Sequence, residues 1–176
     1  MSKEKYEGRK YTVQKYDSCW AELYGTEANA LKDVLGDKLL SIEHVGSTSV
    51  PELAGKPTID ILSVIQTIEE ADKFEALLNP LGYKFLGQYV MEGSRLYVKE
   101  EDNTRLVNLH FYHQGHTHIN EMLGLREYFR SHPEVVNEYS KLKFDLVEKY
   151  PDDYGSYRKF KDEWMNNLKQ EIRLTT

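Results

Sequence analysis

The stretch IEHVGSTSVPELAGKPTIDILSVI, residues 42–65, decides how the rest of the chain is read. Residues 39–45 read as a strand, Gly46-Ser47-Thr48-Ser49 as a small polar break, and residues 58–65, after Lys56-Pro57, as a second buried strand. Strand alternation puts Thr58, Asp60, Leu62 and Val64 on one face and Ile59, Ile61, Ser63 and Ile65 on the other. Asp60 therefore interrupts an apolar run, where a carboxylate is costly unless it meets a partner, a metal or a hydrogen-bond donor. Glycine at the break lets backbone amides approach a ligand, and the adjoining hydroxyls suit phosphate oxygens without a formal charge. A plain turn with a helix cap accounts for the same composition equally well. The break is not a Walker A loop, because no Gly-Lys-Ser/Thr closes it.

On the N-terminal side, residues 8–16 suggest a short strand. Trp20, Leu23, Tyr24, Ala28, Leu31, Val34 and Leu35 then form one face of a helix ending at Gly36. On the C-terminal side, Thr67 and Glu70 have capping-box spacing, and Ala71, Phe74, Leu77, Leu78 and Leu81 predict a helix stopped by Gly82. Strand signals return at residues 83–88, 95–99 and 105–112, the last two joined as a hairpin at Glu101-Asp102-Asn103. From His118 onward the pattern is helical. A capping box spans Ser131 to Glu134 around Pro133, a break falls at Pro151-Asp152-Asp153, and Tyr157, Phe160, Trp164, Leu168 and Ile172 mark a last helix. Strands in the middle and helices at both ends predict an α+β mixed-sheet fold rather than regular alternation.

A second polar interruption lies in the last strand, where Asn108, His110 and Tyr112 share one face against Val107, Leu109 and Phe111. Imidazole there suits metal binding or proton transfer near neutral pH, or a satisfied structural role. The histidines of 113–118 read as an exposed loop. Interspersed charges between Glu134 and Arg173 read as solvated helix faces, with Lys141 and Lys143 as the exceptions to watch.

The 176 residues fit one domain, 1–176, long enough to bury one core. A single cysteine, Cys19, excludes an intrachain disulfide and a two-thiolate zinc site. The charged opening MSKEKYEGRK lacks a signal-peptide core, and no apolar run approaches the ~20 residues a bilayer needs. A cytoplasmic protein without a membrane partner is expected. With 23 Lys+Arg against 29 Asp+Glu, the net charge of −6 is the wrong sign for gripping a long polyanion. A small cationic pocket for one phosphorylated molecule remains compatible with it.

Residues 42–64 resemble the signature of the GrpB family, whose members carry an IEHIGSTSVPGLAAKPIIDIL-like segment. The resemblance runs from YDSCW (16–20) through NLHFY (108–112) and LREYFRSHPE (125–134) to residues 139–164, nearly the whole chain. It implies a nucleotidyltransferase-like fold, a mixed sheet with flanking helices and a helical C-terminal part. That superfamily pairs a Gly-Ser turn with an Asp-x-Asp/Glu strand and a third carboxylate on a neighbouring strand, the acids holding Mg²⁺ for attack on an α-phosphate. Carried over, Gly46, Ser47, Thr48 and Ser49 match the phosphate-holding turn and Asp60 the first carboxylate. Leu62 stands in the second carboxylate's place and His110 on the third's strand. Where many members read His-His-Leu-His, this chain reads Val107-Asn108-Leu109-His110, two imidazoles fewer.

The implied catalytic residues are Asp60 and His110, with Glu43 completing a metal set. Lys56, Arg95 and Arg126 are implied to neutralise phosphate. The implied cofactor is a divalent metal, Mg²⁺ or Mn²⁺, or a transition metal given the imidazole. The implied ligand is a nucleotide or another phosphorylated small molecule. Three readings are open: nucleotidyl transfer to a small-molecule or protein acceptor, a binding module that kept the fold without two-metal chemistry, and phosphoester hydrolysis by a transition metal.

Overall fold

The alternation read in residues 58–65 places that strand near the centre of a five-stranded sheet. The computed structural model describes residues 9–175. In chain order the elements are α1 (Cys19–Leu35), β1 (Ser41–Val45), β2 (Ile59–Ile65), α2 (Glu75–Leu78), β3 (Lys84–Gly87), β4 (Ser94–Glu101), β5 (Thr104–His113), α3 (Thr117–Ser131), α4 (Pro133–Lys149) and α5 (Tyr154–Thr175). The sheet runs β1-β2-β5-β4-β3. The central β2–β5 pair is parallel, and the other pairs are antiparallel.

One face of the sheet is sealed. Ile59, Ile61 and Ile65 of β2, Val107, Leu109 and Phe111 of β5 and Tyr97 of β4 pack against Trp20, Leu31 and Leu35 of α1 and against Phe74 and Leu78. Leu31, Ile61, Ile65, Tyr97, Leu109 and Phe111 are fully buried there, which drives assembly at roughly 1.5–3 kcal/mol per side chain of this size. The opposite face is only partly covered. Val45, Leu62 and Tyr112 pack under Ile119 and Met122 of α3, while Phe129, Val136, Tyr139 and Leu168 of α3–α5 close over Val50 and Leu53. Asp60, Asn108 and His110 sit on this second face.

The predicted hairpin turns at Asp102 and Asn103, both at positive φ (46° and 62°), as a two-residue type I′ turn requires. Three expectations are corrected. Residues 67–82 are not one capped helix. They form 3₁₀ turns at 68–73 and 79–81 around the single turn of α2, and Thr67 makes no side-chain cap. The buried Ile68, Ala71 and Phe74 recur every three residues, the repeat of a 3₁₀ turn, and Pro80 interrupts the chain beyond α2. The Ser131 cap also fails. Its hydroxyl donates to the Glu127 and Tyr128 carbonyls, so His132 becomes the residue before Pro133 at the start of α4.

The strand suggested at 8–16 begins outside the described residues, and its remainder makes one antiparallel bridge, Gln14 to Gly55. Tyr11 and Val13 pack instead among Leu146, Tyr154 and Tyr157 of α4 and α5. No helix among the described residues is long and apolar enough to cross a membrane.

Candidate functional site

The antiparallel register of β1 and β2 sets Val45 opposite Asp60, so the turn leaving β1 passes directly over that carboxylate. Gly46 is required here twice over. Its φ is 73°, and a β-carbon would lie 2.5 Å from Asp60 Oδ2. The parallel partner strand sets Asn108 beside Asp60 and His110 beside Leu62. Asn108 Nδ2 donates to Asp60 Oδ1 at 2.7 Å, and His110 Nε2 stands 3.7 Å from the same oxygen, an ion-pair distance rather than a hydrogen bond. Arg105 Nη1 donates to Asn108 Oδ1 at 2.9 Å while its Nε donates to Glu100 Oε1 at 2.8 Å, which fixes the amide's orientation. Burial pushes the Asp60 carboxyl up, but His110, Asn108 and Lys56 outweigh it and hold it below the usual carboxylate range. His110 Nδ1 is buried and without a hydrogen-bond partner among the described residues.

The turn's three hydroxyls have different partners. Thr48 Oγ1 donates to the Thr58 carbonyl at 3.4 Å and lies 2.9 Å from His44 Nε2, so His44 is assigned the hydrogen on Nε2. Burial pushes the His44 imidazole down to about 4, and its ring stacks on Tyr24 with centroids 4.7 Å apart. Ser49 Oγ donates to the Gly46 carbonyl at 2.7 Å, and Arg130 Nη2 donates to the Ser49 carbonyl at 2.8 Å. Ser47 alone turns its hydroxyl to a basic side chain, Lys143, whose Nζ stands at hydrogen-bond distance, 2.7 Å from Oγ.

Around Asp60 lies a cleft of about 330 Å³ whose walls carry Arg9, Lys56, Arg105, Lys143, Arg158 and Lys161 against two carboxylates, Asp60 and Asp162. Lys56 Nζ donates to the Tyr154 hydroxyl at 2.6 Å. Burial raises that phenol, but Lys56 and Arg9 outweigh it and lower its pKa below the usual tyrosine value. Lys161 Nζ and Arg158 Nε both reach Asp162, at 2.9 and 3.1 Å. A second cleft of about 250 Å³ on the α3 side shares Ser47, Asp60, Tyr139 and Lys161 with the first.

Of the residues named from sequence, Gly46, Ser47, Thr48, Lys56, Asp60 and His110 gather at the site. Ser49, bonded within the turn, faces a neighbouring groove rather than the cleft. Arg95 lies outside. It pairs with Phe111 in the sheet, which turns it to the α1-side face, where Nε and Nη2 bind Asp72 at 2.5 and 3.0 Å. Its neighbour Leu96, opposite His110, takes the cleft side. Glu43 does not join Asp60 and His110 in a metal set. Its Oε2 accepts from Arg126 Nη1 at 2.9 Å, and that guanidinium also donates to the His44 carbonyl at 2.8 Å. Arg126 lines the second cleft, not the cationic one.

Leu62, buried with Val45 and Tyr112, leaves the second carboxylate's place apolar. Among the described residues no three of His, Cys, Asp and Glu converge as a metal site. One carboxylate hydrogen-bonded to an amide, one imidazole and a ring of cations do not fit a pair of Mg²⁺ ions, which need several hard oxygen ligands.

Sequence reading missed Arg9, Arg105, Arg158 and Lys161. For two site lysines a signal existed. Lys161 falls on the stripe Tyr157, Trp164, Leu168, and Lys143 on the stripe Val136, Tyr139, Leu146, at helical spacing. A cation inside an apolar stripe is not on a solvated face.

The family model for "GrpB protein" matches residues 10–171. The UPF0157 protein YqkA of Bacillus subtilis is 35% identical over 168 residues, 96% of this chain and 49% of YqkA, so the chain spans about half the length of that relative. The crystal structure of conserved protein GrpB from Enterococcus faecalis superposes with a TM-score of 0.86 at 34% identity, covering 91% of this chain and 96% of that one. A cytoplasmic RNA terminal U-transferase superposes with a TM-score of 0.52 at 15% identity, over 76% of this chain and 42% of that one. At that identity the likeness extends to the nucleotidyltransferase-like fold and no further.

Proposed function

The chain belongs to the GrpB family, and from that premise we propose that its cationic cleft binds the phosphates of a nucleotide or another phosphorylated small molecule beside Asp60. The observation that carries this reading is the concentration of six basic side chains, Lys143 and five held as cations, around the Gly-Ser turn of a chain whose net charge is −6. Lys56, Lys161 and the guanidinium groups of Arg9, Arg105 and Arg158 supply the positive field that a triphosphate needs, in a walled cleft where water screens it weakly. Tyr89, Tyr154 and Tyr157 supply aromatic wall for a sugar or base. The cleft's size falls within the usual range for small-molecule sites. Asp60 and Asn108 are placed to accept from and donate to ligand hydroxyls or amines.

In this reading fixed cations supply the charge neutralisation that the family resemblance implies for metal ions. Leu62 in the second carboxylate's position and Glu43 tied to Arg126 favour this reading over metal-dependent transfer to an external acceptor. In a thermal-shift titration, inorganic tripolyphosphate and nucleoside triphosphates are expected to raise the melting temperature with chelator present. Saturation at ~100 times Kd corresponds to roughly 2.7 kcal/mol. Lys161→Met in place of wild type should lose most of that shift. A protein that responds to no phosphorylated compound, with or without Mg²⁺ or Mn²⁺, overturns the reading.

A further inference from the structure

Lys143 is 1% exposed, in the middle of the apolar stripe of α4. A lysine is almost never buried to this degree without a charged partner. Among the described residues, its hydrogen-bond partners include no carboxylate. Nζ meets Ser47 Oγ at 2.7 Å and the Ala54 carbonyl at 2.5 Å, and it stands 4.0 Å above the centre of the Tyr139 ring. A neutral amine satisfies this set: one N–H to Ala54 O, one N–H to the ring, and a lone pair to accept from the Ser47 hydroxyl.

The surroundings oppose the charged form. Burial, with Lys161 of α5 and Lys56 before β2 as like charges, holds the ammonium well below the usual lysine range, against the weaker opposing pull of Asp60 on β2. Ser47 is held for this contact from the other side as well, since Gly55 lies so close that a β-carbon on it would approach Ser47 Cβ to 3.0 Å. A hydroxyl within hydrogen-bond reach of a neutral amine is the arrangement by which a weak nucleophile is activated.

We propose that Ser47 and Lys143 form a nucleophile–base pair that makes Ser47 the covalent acceptor of a nucleotidyl or related organophosphoryl group. The nucleotide form rests on the ligand reading above. Ser47 Oγ bonds to the α-phosphorus of a nucleoside triphosphate as its proton passes to Lys143 Nζ. The bond from that phosphorus to the bridging oxygen breaks, and pyrophosphate leaves with the electron pair. The products are a nucleotidyl ester on Ser47, free pyrophosphate and an ammonium on Lys143. Because Ser47 lines both clefts, the ester faces the second one, where a later acceptor has room to approach.

The test incubates the full chain with a fluorophosphonate probe, which carries no polyphosphate, and in parallel with ATP. Intact mass and peptide mapping are the readouts. The expected result is an adduct on the Ser47 peptide from both reagents, none in Ser47→Ala, and labelling at least ~100-fold slower in Lys143→Met, the loss of a general base. The rate of wild-type labelling should level off at a pH below the ordinary lysine value of about 10.4, which keeps the test decisive if Lys143→Met fails to fold. Wild-type protein unlabelled by either reagent, a label at another residue, or a rate that climbs through the ordinary lysine range overturns the pair. A tripolyphosphate thermal shift without labelling removes the pair and leaves the ligand reading standing. Fluorophosphonate labelling without that shift does the reverse.

Discussion

The two faces of one sheet follow different rules. On the α1 side, β2 and β5 present Ile59, Ile61, Ile65, Val107, Leu109 and Phe111, apolar and buried, with the small Ser63 buried among them. On the other side the same two strands present Asp60, Asn108 and His110, half-buried and tied to one another. Alternation sets both faces with one pattern, so a residue's neighbours in sequence say little about its chemistry and its parity says much. The sealed face fixes register, and register delivers Asp60 beneath Gly46. The open face is then free to carry groups that a core would reject.

Leu109→Ala attacks the sealed face and should have the largest effect, a loss of roughly 2–5 kcal/mol in denaturant unfolding. The surviving folded protein should still respond to tripolyphosphate, because Leu109 faces away from the cleft. A ligand response lost at full folding would break the division between the faces.

Acid titration sharpens it. His44 belongs to the α1 side by register with Ile61, yet its ring supports Thr48 on the turn. Its folded value of about 4 lies below the unfolded value of 6.5, so the unfolded state takes up the proton first as pH falls. The stability it contributes is complete above about 6.5 and lost between there and about 4, roughly 3 kcal/mol at 1.36 per unit. Asp60, whose pKa is also depressed, adds a loss at lower pH with the same sign. Unfolding free energies measured across that window should fall in wild type and much less in His44→Phe; equal slopes would show that the ring plays no such part.

The smallest effect belongs to Arg95→Gln. The guanidinium is paired with a 40%-exposed Asp72 and lies outside the cleft, so stability should change by less than about 1 kcal/mol and the ligand response not at all. A weakened response would return Arg95 to the site.

What the sequence disclosed and what it hid divide along the same line. The strands around Asp60, the hairpin at Asp102-Asn103 and the helical C-terminal part were legible because burial imposes a period and positive φ selects residue types. Arg95 was misplaced because one step along β4 reverses the face, and only the pairing of Leu96 with His110 fixes the parity. Residues 67–82 hid a three-residue repeat inside a plausible helix. Lys161 was hidden among charges of mixed sign, from which only Lys141 and Lys143 stood apart, and Arg9 joins the site through packing of the N-terminal segment on α4 and α5, which no local pattern encodes.

The parallel pairing of β2 with β5 has a consequence for assembly in time. Thr58 Oγ1 donates to the Arg105 carbonyl across 47 residues of chain, and Asp60 meets Asn108 across 48. Parallel neighbours cannot form by a tight turn, so everything between them must be made and folded back before either strand has its partner. A nascent chain that has just released β2 therefore holds half a site and a bare sheet edge. Assembly of the Asp60–Asn108 pair and closure of the sheet arrive together, in one late event.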